Sequence, residues 1–168
     1  GDIAFVGFNA DNNDQFTIIT TNYLEDGTQI YFVDAGWTGT AIYASEGGIL
    51  WTVPSGGLPT NTMVTFTGAG AGGFTTFPTG SLEVGASVTA GTIAASGIAA
   101  SMALTTSGDQ ILAFTGSVAS PTFIAAANFN GAWSWTGTNN SEQSLLPPGL
   151  TSGTNCVLLS DRDNGKID

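Results

Sequence analysis

Apolar and polar side chains alternate with a period near two along much of the chain, in short runs separated by Gly, Pro, Asn and Asp. The first run, Ile3-Ala4-Phe5-Val6-Gly7-Phe8, predicts a strand with apolar residues on both faces. A polar turn from Asn9 to Asp14 follows, and a second strand is predicted over Phe16–Thr21. Glu25-Asp26-Gly27-Thr28 reads as a tight Asp-Gly turn leading into a strand over Gln29–Val33. Another run, Ile49–Val53, stops at Pro54. Further strands are predicted over Met63–Thr67, Met102–Thr105, Gln110–Phe114, Thr122–Ala127 and Cys156–Leu159.

No segment carries a convincing helical period. Ser96–Leu104 is Ala-rich enough to suggest one, but Gly97 and the Thr and Ser flanks favour extended chain. About ten short strands with Gly and Pro punctuation predict an all-β fold, a single-domain β-sandwich over residues 1–168. Two stretches break the alternation. Thr67–Gly80 is a Gly-rich loop, and Gly85–Ser101 is a low-complexity tract of Gly, Ala, Ser and Thr. Loops this long and this poor in charge either stay unstructured or pack on something, and a neighbouring subunit would serve.

Charge narrows the choice of partners. Lys+Arg is 2 against Asp+Glu 13, for a net charge of −11 and a pI near 4.1. Two cations cannot neutralise a phosphate backbone or hold an anionic membrane surface, so no nucleic-acid partner is expected. No apolar run approaches the roughly 20 residues that span a bilayer, so no membrane insertion is expected either. Charged residues make up only 9% of the chain, where about 25% is usual. On a folded surface of about 7,700 Å² this is roughly one charge per 500 Å², against roughly one per 200 Å² for an average domain. Thr, Ser, Asn, Gly and Ala must cover the rest. They lose little rotamer freedom when immobilised, whereas a Lys or Glu loses up to about 2 kcal/mol. Such an exterior is suited to burial against another copy of itself, or simply to being soluble and protease-resistant. The scarcity of Lys, the low pI and a strand already under way at Gly1-Asp2, as after removal of a leader, predict an extracellular or cell-surface location.

Chemistry narrows the choice further. His is absent, which removes Ser-His-Asp and Cys-His arrangements and most zinc sites. Lys166 lies at the C-terminal end, and no nucleophile elbow, Walker loop or dinucleotide fingerprint is present. No catalytic role is expected, a carboxylate pair acting on a glycoside being the one route left. No cofactor is expected beyond a calcium ion. Asp11-Asn12-Asn13-Asp14 and the stretch from Asp161 to Asp168 gather hard oxygen ligands in turns, and nominate Asp11, Asn13, Asp14, Asp161, Asp163 and Asp168. Neither matches an EF-hand loop, because Gly165 comes one residue early; ordinary Asx turn chemistry produces the same composition. Trp37, Trp51, Trp133 and Trp135 are expected to pack the core or the sheet ends, or else to form a platform for carbohydrate. Asn139-Asn140-Ser141 is a glycosylation sequon. Cys156 has no partner for an internal disulfide and is expected to be a small buried apolar residue.

The opening Gly-Asp-Ile-Ala-Phe-Val-Gly-Phe-Asn-Ala-Asp resembles a module of secreted and cell-surface proteins of bacteria such as cyanobacteria and Bacteroidetes. The resemblance continues in Gly27–Asp34 with Gly36-Trp37, Glu46-Gly47 with Leu50-Trp51-Thr52, Ser107–Ala113, Pro121–Ala126 and Leu146–Leu150. It implies extracellular display and a β-sandwich, and no catalytic residues. Together these readings favour a structural subunit of an extracellular filament, sheath or surface layer, whose partners are copies of itself. Residues 1–9 would be a strand exchanged between subunits, with Ile3, Phe5, Val6 and Phe8 at the interface. The alternative is a calcium-organised adhesion module binding glycan or peptide.

Overall fold

Runs rich in β-branched and aromatic residues become strands here, and Gly, Asn and Asp between them become turns. The computed structural model describes residues 1–11, 14–44, 46–68, 87–98, 102–137, 142–160 and 163–166. Among them are eleven strands: β1 (Ile3–Asn9), β2 (Gln15–Thr20), β3 (Gln29–Val33), β4 (Gly48–Thr52), β5 (Met63–Thr67), β6 (Ser87–Val88), β7 (Thr92–Ala95), β8 (Gln110–Ser117), β9 (Ser120–Asn128), β10 (Cys156–Leu158) and β11 (Asn164–Lys166). They form a five-stranded sheet, β11-β1-β2-β5-β6, and a six-stranded sheet, β10-β9-β8-β3-β4-β7. The sheets pack as the expected all-β sandwich. Every pairing is antiparallel except β10 with β9.

The pattern of β1 shows how sequence sets local geometry. Ile3 and Phe5 point inward two residues apart, yet the next inward residue is Phe8. The register with β2 shifts between Phe5 and Gly7, so Val6 is an extra residue that resets the alternation. Without that bulge Phe8 would face away from the core.

Between the sheets lies a cluster of rings. Phe16 of β2 stacks on Phe66 of β5 at 4.5 Å, and Phe32 of β3 lies 5.1 Å from Phe16. Trp51 of β4 meets Phe66 edge-on at 5.6 Å, and its indole N–H donates to the Ala90 carbonyl at 2.9 Å. A second cluster covers the outer face of the six-stranded sheet. There Val33, Leu112, Phe114, Phe123 and Ala126 pack with Ala35, Ile42 and Leu150 from loops. Consecutive residues of β8 therefore alternate between two cores: Ile111 and Ala113 face the first, Leu112 and Phe114 the second. This explains the unbroken apolar run of β8. The loop over the outer face is fastened where Trp37 N–H donates to Ser144 Oγ and Leu145 N–H to the Trp37 carbonyl, both at 2.9 Å.

Three expectations need adjusting. The Gly85–Ser101 tract contains two edge strands, β6 and β7, within its described part, because Thr, Ile and Val among the small residues suffice to pair with β5 and β4. Met102–Thr105 is not a strand: only Met102 takes part in a bridge, and the amides of Ala103, Leu104 and Thr105 are bonded to side chains. The N-terminal strand is an inner strand of its own sheet, between β2 and β11, and Ile3, Phe5 and Phe8 lie in the core while Val6 is half-buried. As folded, three of the four residues nominated for a subunit interface are thus covered by their own chain. No helix among the described residues is long and apolar enough to cross a membrane.

Candidate functional site: a buried carboxylate clamp

Three aspartates sit at strand ends, where turn-forming Asp is expected: Asp14 just before β2, Asp34 just after β3 and Asp109 just before β8. All three point into the protein and are at most 3% exposed. Their carboxylates converge on the segment 102–105. That segment buries Met102 and Leu104 in the core, but beyond the bridge at Met102 no strand among the described residues takes its amides. Buried N–H groups must find acceptors. Ala103 N–H donates to Asp34 Oδ2 at 2.6 Å, Leu104 N–H to Asp14 Oδ2 at 2.7 Å and Thr105 N–H to Asp109 Oδ2 at 3.0 Å. Three successive amides are thus held by three carboxylates from three separate parts of the chain.

The second oxygens of Asp34 and Asp109 are engaged too. Asp34 Oδ1 accepts from Gly47 N–H at 2.8 Å, and Asp109 Oδ1 from Gln110 N–H and Nε2 at 2.8 and 2.9 Å. Gln110 Nε2 also donates to the Asp34 carbonyl, so one side chain ties Asp109 to the Asp34 backbone. Around the clamp, Thr105 Oγ1 donates to the Gly108 carbonyl at 2.6 Å and Ser107 Oγ to Glu142 Oε1 at 2.8 Å.

Burial disfavours the ionised form of each acid and dominates their titration. It raises Asp14 to about 6 against the pull of the Leu104 amide. Burial raises Asp34 to about 7, with the amides of Ala103 and Gly47 opposing and the charge of Asp14 adding. Asp109 is pushed well above the usual carboxylate range by burial first, then by the charge of Asp34, with Glu46 contributing. The arrangement can bind backbone and hold protons. Both oxygens of Asp34 and of Asp109 are turned to N–H donors.

The nominated calcium ligands divide. The two turns meet in space, since β11 pairs with the end of β1: Asn164 Nδ2 donates to Asp11 Oδ2 at 3.0 Å, and Ala10 N–H to the Asp163 carbonyl at 2.7 Å. Asp14 leaves that pair and turns inward to Leu104. Asn13, Asp161 and Asp168, like the sequon at 139–141, lie outside the described residues. Among the described residues no group of three Asp, Glu or Cys side chains is placed to hold a metal ion.

Of the tryptophans, Trp51 is fully buried, Trp37 packs edge-on against Phe123 at 5.2 Å and Trp135 against Tyr43 at 5.1 Å. Trp133 is half-buried against the outer cluster. Sequence reading missed Asp34 and Asp109 as site residues. The available signal was the dipeptide Asp-Gln, which occurs at residues 14–15 and 109–110, each time opening a strand.

A groove of about 350 Å³ opens along one side of the sandwich, lined by Ala4 and Phe5 of β1, Ala126 of β9 and residues 152–158. Cys156 lines it while remaining 2% exposed, and burial pushes its thiol up. A thiol-specific reagent is therefore expected to label native protein at least about 100-fold more slowly than unfolded protein. Equal rates, followed by absorbance, would contradict the burial of Cys156. No family model, curated protein or solved structure matches this chain.

Proposed function

We propose that this protein is a structural subunit of an extracellular assembly that associates with copies of itself through strand edges. The supporting observation is the side of the sandwich where both sheets stop. β11 pairs with β1 only over Gly7–Asn9. Among the described residues no strand lies beside Ile3–Val6 on that side. The other sheet ends next to it in β10, where Ser152 and Gly153 bridge Cys156 but Leu158 is 40% exposed. An open edge offers unpaired main-chain groups to an incoming strand.

Charge argues for a second copy as the occupant. Thirteen acids give the chain its −11, and copies repel one another over most of their surface. Not one acid lines this groove, whose walls are Ala4, Phe5, Ala126, Cys156, Val157 and Leu158 with Ser152, Gly153, Thr154 and Asn155. It is a place where two such molecules meet without opposing charges. The route differs from exchange of residues 1–9, because withdrawing β1 would expose Ile3, Phe5 and Phe8, at a cost of about 1.5–3 kcal/mol for each side chain. Edge addition keeps them buried. The composition and the likeness to cell-surface modules support the extracellular part of the reading.

Leu158→Lys tests it. Lys on an edge opposes strand addition, and Leu158 is exposed enough for the fold to survive. The native chain is expected to form oligomers or fibrils in light scattering and negative-stain images. The variant should need at least about tenfold higher concentration, a difference of about 1.4 kcal/mol. Met63→Lys, at a 65% exposed position on an inner strand of the other sheet, should assemble like the native chain. A native chain that stays monomeric at millimolar concentration sinks the proposal.

A further inference from the structure

We propose that the side of the sandwich formed by β6 and β7 docks on the β10–β1 groove of the next copy, so that the chain assembles head to tail and not as a closed dimer. The proposal rests on association through strand edges and names the surface that fills the groove. Of the edge strands β11, β6, β10 and β7, only β11 carries a charged side chain, Lys166. Residues 87–98, which hold β6 and β7, contain no ionisable side chain and no Pro, in a chain with 13 acids. Free edges are usually guarded by Lys, Pro or an inward charge. Neither this side nor the groove side, residues 152–158, has such a guard. The core also reaches both sides: Val88, Ala90 and Ile93 at one, and Ile124 and Leu159 at the other, are half-buried and packed against it.

Strand directions fit the two sides together. β10 runs parallel to β9, and antiparallel steps through β8, β3 and β4 lead to β7, an even number of reversals, so β7 points the same way as β10. Antiparallel steps from β1 through β2 and β5 lead to β6, an odd number, so β6 runs opposite to β1. A second copy moved alongside without rotation therefore sets β7 parallel to β10 and β6 antiparallel to β1, and both are ordinary sheet pairings. On β10 the open stretch is Val157–Leu158, because Ser152 and Gly153 bridge Cys156. On β1 it is Ile3–Val6, beyond the end of β11. Neither docked surface carries an acid, so two copies of charge −11 meet without burying like charges. A groove meeting its own twin would close a dimer and leave the unguarded β6–β7 side without an occupant. Joining unlike sides repeats without closing, which gives a filament.

Mixing variants of the full chain tests the docking. Ala94→Lys, at an exposed position on β7, is expected to raise the concentration needed for assembly at least about tenfold, as Leu158→Lys does. Each variant keeps one working side. An equimolar mixture of the two should therefore form a heterodimer and nothing longer in sedimentation velocity, at a concentration where either variant alone is monomeric. Thr92→Lys, also exposed on β7, takes the place of Ala94→Lys should that chain not fold. β7 variants that assemble like the native chain, while Leu158→Lys does not, overturn head-to-tail docking and leave edge association standing. A mixture that stays monomeric overturns the docking as well. A native chain that is monomeric at millimolar concentration overturns both.

Discussion

Phe16→Ala is expected to lower the free energy of unfolding by about 4 kcal/mol, within the 3–5 kcal/mol found for large-to-small changes in well-packed cores. Phe16 is fully buried on β2 and touches rings from both sheets: Phe66 at 4.5 Å, Phe32 at 5.1 Å and Phe5 at 6.0 Å. Its removal opens a cavity at the junction of the sheets and deletes aromatic pairs worth about 0.5–1.5 kcal/mol each beyond burial. The surrounding rings belong to strands fixed by their ladders, so they cannot collapse far into the space. For a domain of this size the midpoint of thermal unfolding should drop by roughly 10–15 °C. Met63→Ala, at a 65% exposed position, should stay within about 0.5 kcal/mol. A loss below about 1.5 kcal/mol for Phe16→Ala in urea titration would show that these rings are not the centre of the core.

The same strand shows how much of the fold is legible in the chain. Strand positions follow the alternation closely: Gln29–Val33 and Met63–Thr67 match residue for residue, and the Asp-Gly turn before β3 places Gly27 at a φ of 71°, where a side chain would be strained. The two-core arrangement is foreshadowed by the apolar run Ile111-Leu112-Ala113-Phe114, which a strand wet on one face would not need. Less legible are β6, β7 and β11. Apart from Val88 and Ile93 their residues are small or polar, and the company of β5, β4 and β1 completes them as strands.

The clamp was less legible still. Asp14 reads as a member of a polar turn with Asp11, and apart from the Gln that follows Asp14 nothing local separates the two. Leu104 separates them: it lies 90 residues away in sequence and its amide needs an acceptor. Met102–Thr105 has strand-like composition because its apolar side chains enter the core, but the amides of Ala103, Leu104 and Thr105 are satisfied by carboxylates and not by a neighbouring strand. Alternation reports where side chains go. It does not report where amides find partners, and that blind spot hid both the segment 102–105 and the residues that hold it.

Acidification from pH 8 to pH 5 is expected to raise the free energy of unfolding by at least about 3 kcal/mol. Asp14 and Asp34 titrate at about 6 and 7 in the folded chain, against 3.8 for an unperturbed Asp, and Asp109 is likewise raised well above that value by burial and its neighbours' charge. Between these values the folded state binds more protons than the unfolded one, so stability falls as pH rises. The contribution is fully present below about pH 4, and that of Asp14 and Asp34 is lost progressively through pH 6 to 7. Between pH 8 and 5 Asp14 crosses about one pH unit and Asp34 about two, together worth about 4 kcal/mol at 1.36 kcal/mol per unit. Asp109 acts in the same direction, and the repulsion among thirteen acids adds to it. Asp34→Asn should flatten the profile while lowering overall stability, because its single amide oxygen replaces only one of the two acceptors used by Ala103 and Gly47 and its NH2 faces the other N–H. Urea unfolding followed by Trp fluorescence from pH 4 to 8.5 measures it. A stability that rises toward pH 8 would mean that the three aspartates are held ionised in the fold, and the burial argument for the clamp would then have the wrong sign.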